Sequence, residues 1–199
     1  MLILWNCSLA VFSILGTVRC LPQFWHLYYT KGFMATVCQS DYYKDIRVLW
    51  WYNLFVWSKI AELIDTLLIR LHWIHHVTLC YCWYSIGEYP GTYQWMVTMN
   101  FGVHSIMYTY YALKAMRVRI ARTASIAITL LQIMQMIAGF YVNYVAIDRK
   151  MSGQACDVFI ETAKFGVTIY TLFLVLFMNF FVKTYILSKN NAKHRIKHD

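Results

Sequence analysis

Five stretches of the chain carry no Asp, Glu, Lys or Arg: 1–18, 71–87, 89–113, 123–147 and 165–182. Each is near or above the ~17–25 residues a helix needs to cross the hydrocarbon core of a bilayer. A sixth stretch, 46–69, opens on apolar and aromatic residues but holds Lys59, Glu62 and Asp65 in its second half. This pattern predicts an all-α, polytopic membrane helix bundle of six spanning helices, one domain over residues 1–187 with a polar, basic tail at 188–199. Only two prolines occur. Pro22 is expected to interrupt the first helix, and Pro90-Gly91 to make the turn between the third and fourth. The second connection is unusual. Only Ile69-Arg70-Leu71 separates two spans, without a turn-forming residue, so 54–84 reads locally as one helix and only the alternation of sides argues for a break.

Composition agrees with the pattern. Of 199 residues, 60% are hydrophobic and 14% charged, with mean hydropathy +0.45. A soluble domain carries roughly a quarter charged residues. The first apolar stretch lacks a basic leader and a small-residue cleavage site, which argues against a signal peptide.

The net charge of +9 matters through its placement. Alternating six spans puts Arg70, Lys114, Arg117, Arg119, Arg122, Lys183, Lys189, Lys193, Arg195 and Lys197 on one side. The other side holds Lys31, Lys44, Arg47, Arg149 and Lys150, diluted by Asp41, Asp45, Glu88, Asp148, Asp157 and Glu161. The excess of basic residues makes the first side cytoplasmic, with both termini on it. These charges flank spans, so they suit anionic headgroups and not a nucleic acid. The tail ends with Arg195 and Lys197 five and three places from the terminus, similar to a dibasic endoplasmic-reticulum retrieval signal, which would make this a multi-pass protein of that membrane. The alternative is a plain basic tail. The six cysteines show no metal-ligand spacing. Cys38 and Cys156 both fall in loops on the non-cytoplasmic side, where an oxidising compartment would let them pair. The sequon Asn6-Cys7-Ser8 sits at the cytoplasmic edge and is discounted.

Ionisable residues inside spans are costly and mark function by default. Lys59, Glu62, Asp65 and Thr66 share a helix face, with Lys59 and Glu62 placed to form an ion pair. A catalytic chamber or a charge network that holds the bundle together would both use them. His72, His75 and His76 share a face by their spacing. Such a set can hold a metal, act as general base, or offer a nucleophilic imidazole. Asn100, His104, Tyr108 and Tyr111 form a polar stripe, and Thr129, Gln132 and Gln135 a third face, serving as cavity lining or interhelical hydrogen-bond glue. At 1.5 Å per residue these groups fall within ~10–18 Å of the cytoplasmic helix ends, so one polar chamber open to that side accommodates them all.

At these residues the chain resembles the very-long-chain fatty acid elongases, the membrane condensing enzymes of the endoplasmic reticulum. Four blocks carry the resemblance: Lys59-x-x-Glu62-x-x-Asp65-Thr66, His72-x-x-His75-His76, Asn100-x-x-Val103-His104-x-x-Met107-Tyr108-x-Tyr110-Tyr111, and Thr129-x-x-Gln132-x-x-Gln135. Trp73 in the histidine box, the segment 10–19 and Ala112-Leu-Lys-Ala115 resemble the subgroup that acts on saturated long-chain acyl groups. The resemblance implies seven helices, six of them a barrel around an acyl tunnel. It implies condensation of acyl-CoA with malonyl-CoA to 3-ketoacyl-CoA, CO₂ and CoA, with no cofactor and no metal. His75 takes the place of the family's nucleophile, His104 that of its partner, with His72 and His76 completing the catalytic set. Lys59, Glu62, Asp65, Asn100, Tyr108, Tyr111, Gln132 and Gln135 become substrate-binding residues, and Lys114 and Arg117 can hold the CoA phosphates. The partners expected are the two CoA esters, membrane lipid, a second copy and other enzymes of the elongation cycle.

The chain departs from the family pattern twice. It begins near the family's second helix, and it lacks the short basic loop that precedes the histidine box. The second departure shifts the histidines relative to Asp65, so an impaired form acting only as an assembly partner is the alternative. A membrane di-iron desaturase needs more histidine ligands than the four in these spans, His72, His75, His76 and His104.

Overall fold

The computed structural model describes residues 2–66, 76–88 and 90–187, and their side chains except at 63–66 and 76–80. The elements are α1 (Leu2–Lys31), α2 (Phe33–Cys38), a 3-10 turn (Asp41–Lys44), α3 (Ile46–Thr66), α4 (His76–Glu88), α5 (Tyr93–Ala115), α6 (Arg122–Met151) and α7 (Ile160–Phe181). A π-helical turn, Val182–Leu187, ends the last helix. No strand occurs among the described residues. Among the described residues, three helical stretches are long and apolar enough to cross a membrane: Leu2–Lys31, Arg122–Met151 and Ile160–Leu187.

One expectation changes here. Pro22 lies inside α1, and the helix runs through it to Lys31. Proline removes one backbone donor, but packing on α5 grips the helix on both sides of it. Phe12 meets Phe101 edge-on at 5.6 Å, and Phe24 meets Trp95 at 4.8 Å. In lipid the remaining backbone groups have no partner except their own helix, which also opposes a break. The stretch 54–84, which admits one helix or two by its sequence, is decided by packing. Trp57 of α3 and Trp83 of α4 make an edge-to-face contact at 5.4 Å. In one straight helix Trp57 and Trp83, 26 positions apart, would lie ~39 Å from each other, so α3 and α4 lie side by side.

The main contacts run in a circuit: α1 on α5, α5 on α6, α6 on α7, α7 on α4, α4 on α3, and α3 back on α1. Helices α6 and α7 are locked by reciprocal notches. Gly139 of α6 lies against the Tyr170 ring so closely that a β-carbon would overlap it. Gly166 of α7 lies against Asn143 in the same way, where a β-carbon would come 2.6 Å from Oδ1. Each notch stands one turn from the side chain that fills the notch of the other helix.

One end of the bundle is tied by covalent and polar links among three connections. Cys38 and Cys156 form a disulfide. Asp157 donates its N–H to Cys38 O at 2.8 Å, accepts from Gly91 N–H at 2.8 Å, and its carboxylate accepts from Ser40 at 3.2 Å. Gly91 approaches the Val37 carbonyl too closely to carry a β-carbon. Tyr42 donates to Pro90 O at 3.0 Å, and Gln94 donates to the carbonyls of Thr36 and Gln39 at 2.8 and 2.9 Å. On the surface of this end, hydrogen bonds from Lys44 and then Lys31 hold the Asp41 carboxyl below its ordinary range.

Candidate functional site

The centre of the bundle holds an ion pair. Phe55, Lys59 and Glu62 recur at helical spacing on the inward face of α3 and are all nearly inaccessible, with Lys59 at 3% and Glu62 at 5% exposure. An isolated ammonium at this depth is costly, so its donors must all be used. Lys59 Nζ donates to Glu62 Oε1 and Oε2 at 2.9 Å each and to Asn100 Oδ1 of α5 at 2.8 Å. Three N–H groups meet three oxygens. The ammonium also lies 4.7 Å from the centre of the Phe55 ring, whose face attracts it. A residue four places before Lys59 is its neighbour on any helix, so Phe55 was legible from spacing, though it was not singled out.

One turn beyond Asn100 on the same face of α5, His104 brings Nδ1 to 3.7 Å from Glu62 Oε1. That separation is a charge contact, longer than a hydrogen bond. A carboxylate on that side of the ring favours the tautomer with the proton on Nδ1, leaving Nε2 as the acceptor. Tyr108, one turn further, packs edge-on against the imidazole at 5.4 Å and is itself buried. Lys59 is thus fully engaged and acts as the anchor of the cluster. Glu62 links the anchor to the His104 imidazole, whose ring nitrogens can accept and release a proton.

The structure brings together Lys59, Glu62, Asn100, His104 and Tyr108. Gln132 of α6 reaches the neighbouring turn of α5 by donating to Met107 Sδ at 3.1 Å, and Gln135 is buried. Tyr111 is 44% exposed, and Lys114 and Arg117 lie exposed at the end of α5, apart from the buried cluster. Arg117 adopts φ 61°, the left-handed region that glycine favours. It closes α5 with Arg117 N–H to Lys114 O and Val118 N–H to Leu113 O, both 3.0 Å, the Schellman pattern with arginine in glycine's place. Arg122, at the start of α6, lies 5.9 Å from the Tyr185 ring centre, and Tyr185 comes to 3.5 Å from Thr129. Neither Arg122 nor Tyr185 was marked by the sequence blocks as a site residue.

Asp65 lies in the last turn of α3 and His76 opens α4; their side chains are not among those described. His72, His75, and the connection at Arg70 lie outside the described residues.

Residues 1–193 match the GNS1/SUR4 (ELO) family. The chain is 40% identical to a chicken protein named very long chain fatty acid elongase 6, over 96% of this chain and 76% of that one. A Drosophila protein of the same name is 39% identical, over 98% of this chain and 66% of its own length. Human very long chain fatty acid elongase 3 is 39% identical over 96% of this chain and 74% of its own. No solved structure matches. With the four blocks in order, a helical membrane bundle around a buried Lys59–Glu62–Asn100–His104 cluster, and a family match over nearly its whole length, the chain belongs to the GNS1/SUR4 (ELO) family.

Proposed function

We propose that the chain condenses a long-chain acyl-CoA with malonyl-CoA, the carbon–carbon bond-forming step of fatty acid elongation, within the endoplasmic-reticulum membrane. The observation that carries this reading is the buried cluster itself: an imidazole held by a carboxylate whose charge is balanced by a fully bonded lysine, inside an apolar bundle that belongs to the elongase family. The circuit of helix contacts supports six spans enclosing an acyl cavity.

In the proposed reaction the His75 imidazole attacks the acyl thioester carbon. The C–S bond breaks, CoA leaves as the thiol with a proton from the site, and the acyl group rests on nitrogen. Malonyl-CoA then loses CO₂. The electron pair of the broken C–C bond becomes an enolate and attacks the acyl-imidazole carbon, giving 3-ketoacyl-CoA and freeing His75. His104 holds the moving proton. Tyr108 and Asn100 line the site where enolate charge develops, and a donor there is worth ~10²–10³ in rate. His72, His76, Asp65, Gln132 and Gln135 complete the chamber wall in this reading, and Tyr111 stands outside it. Lys114 and Arg117 receive the CoA phosphates at its mouth.

The test is incorporation of radiolabelled malonyl-CoA by purified protein in lipid. His75→Ala and His104→Ala should each lose ~10²-fold or more. His26→Ala, at an exposed position of α1, should retain full activity. Equal loss in all three variants, or none in any, would overturn the reading.

A further inference from the structure

At the disulfide end, far from the Lys59 cluster, a cleft of about 600 Å³ opens between the 3-10 turn, the last residue of α4 and the loop joining α6 to α7. Its walls separate charge. Glu88 and Asp157 line it together with Lys150, and Tyr43 and Phe159 supply aromatic faces. From this arrangement we infer that the cleft binds the headgroup of a zwitterionic membrane phospholipid, the ammonium against Glu88 and Asp157 between the two rings and the phosphate on Lys150.

Each part of the cleft is suited to its half of such a headgroup. Glu88 ends α4, where the helix dipole and the terminal carbonyls are already negative, so an acid there repels its own helix unless a cation joins it. The carboxylates have accepted Thr162 and Ser40 respectively, and an ionised carboxylate offers about four acceptor positions. Lys150 donates to Cys156 O at 2.9 Å, which uses one of its three N–H groups. The Tyr43 ring already has the ammonium of Lys44 at 5.7 Å from its centre, so a cation rests on this surface in the folded protein. Phe159 is 58% exposed at the rim. Aromatic faces beside carboxylates are the chemistry that recognises alkylammonium groups.

The location supplies a second argument. Trp25, Tyr28 and Tyr29 in the later part of α1, and Tyr141 and Tyr144 in that of α6, are exposed toward this end. Such rings collect at the headgroup level of a bilayer. Lys31, Lys150 and the Asp41–Lys44 turn stand just past them. The cleft therefore meets headgroups at their own depth. A purely anionic lipid would face two carboxylates, and a purely cationic one would face Lys150.

The test uses the delipidated full chain and four lipids with identical acyl chains: phosphatidylcholine, phosphatidylethanolamine, phosphatidylglycerol and a cationic trimethylammonium lipid. Retention is read by native mass spectrometry. The two zwitterionic lipids should bind about three- to tenfold more tightly than either singly charged one. Glu88→Gln with Asp157→Asn keeps the acceptors for Thr162 and Ser40 and should erase the preference over phosphatidylglycerol. Lys150→Gln should erase the preference over the cationic lipid. Phe159→Leu, at an exposed position, reads the aromatic contribution separately should the double variant fail to fold, and should weaken the ammonium-bearing lipids while leaving phosphatidylglycerol unchanged. Soluble glycerophosphocholine should compete; failure to compete at high concentration would assign retention to the acyl chains and overturn the inference. Equal retention of all four lipids, or a preference that survives the charge-neutral variants, would overturn it as well.

Discussion

Replacing Lys59 by methionine removes the anchor of the buried cluster while keeping the shape of its side chain. The wild-type ammonium is 3% exposed and makes three hydrogen bonds of 2.8–2.9 Å. Without it, the Glu62 carboxylate remains 5% exposed and has lost the ammonium that stood 2.9 Å from it. Removing one partner of a buried pair costs ~3–5 kcal/mol. At ~2–4 °C per kcal/mol for a chain of this size, the midpoint of thermal unfolding in detergent should fall by ~6–20 °C. Removing both charges is a different perturbation. Lys59→Met with Glu62→Leu leaves no ion behind, and a buried pair replaced by apolar residues is often neutral or stabilising. The double variant should therefore be markedly more stable than Lys59→Met alone, although it should be inactive. A double variant no more stable than the single one would refute the claim that Glu62, left buried without its lysine, is the source of the cost.

Three further outcomes follow from other parts of the fold. Cys38 and Cys156 are 118 residues apart, so replacing both with serine should lower stability by ~2–4 kcal/mol, read as a drop in the thermal midpoint that reductant reproduces in the wild type and not in the variant. Gly139→Ala pushes a methyl into the Tyr170 ring and should cost ~1–3 kcal/mol, whereas Gly102→Ala, with open space at its β-position, should be neutral or gain up to ~1 kcal/mol; equal effects in the two would contradict the notch packing. Arg117→Gly relieves a left-handed conformation that costs an L-residue ~1–2 kcal/mol, so it should raise the thermal midpoint while raising the KM for malonyl-CoA, and a less stable variant would show that the arginine side chain outweighs the backbone strain.

Much of this protein follows from its chain alone because a bilayer leaves the backbone so few choices. Charge-free runs of spanning length must become helices, since no other partner exists for their N–H and C=O groups. Ionisable side chains in such runs stand out against the apolar background, which is why Lys59, Glu62, Asn100, His104 and Tyr108 were legible as one site before any geometry was known. Helical spacing also placed each stripe on a single face. What spacing does not carry is which faces meet, and that depends on how helices cross. Asn100 completes the lysine's hydrogen bonds from 41 residues away, and nothing local to either residue announces it. Tyr111 shares the helical phase of the α5 stripe, yet bundle packing leaves it exposed. The notches at Gly139 and Gly166 depend on the exact approach of α6 to α7, as the straight passage of α1 through Pro22 depends on its grip on α5. The pairing of α3 with α4 was ambiguous for the same reason. The local sequence over 54–84 favours one helix, and only the contact of Trp57 with Trp83, made by residues of no unusual spacing, decides that the two lie side by side.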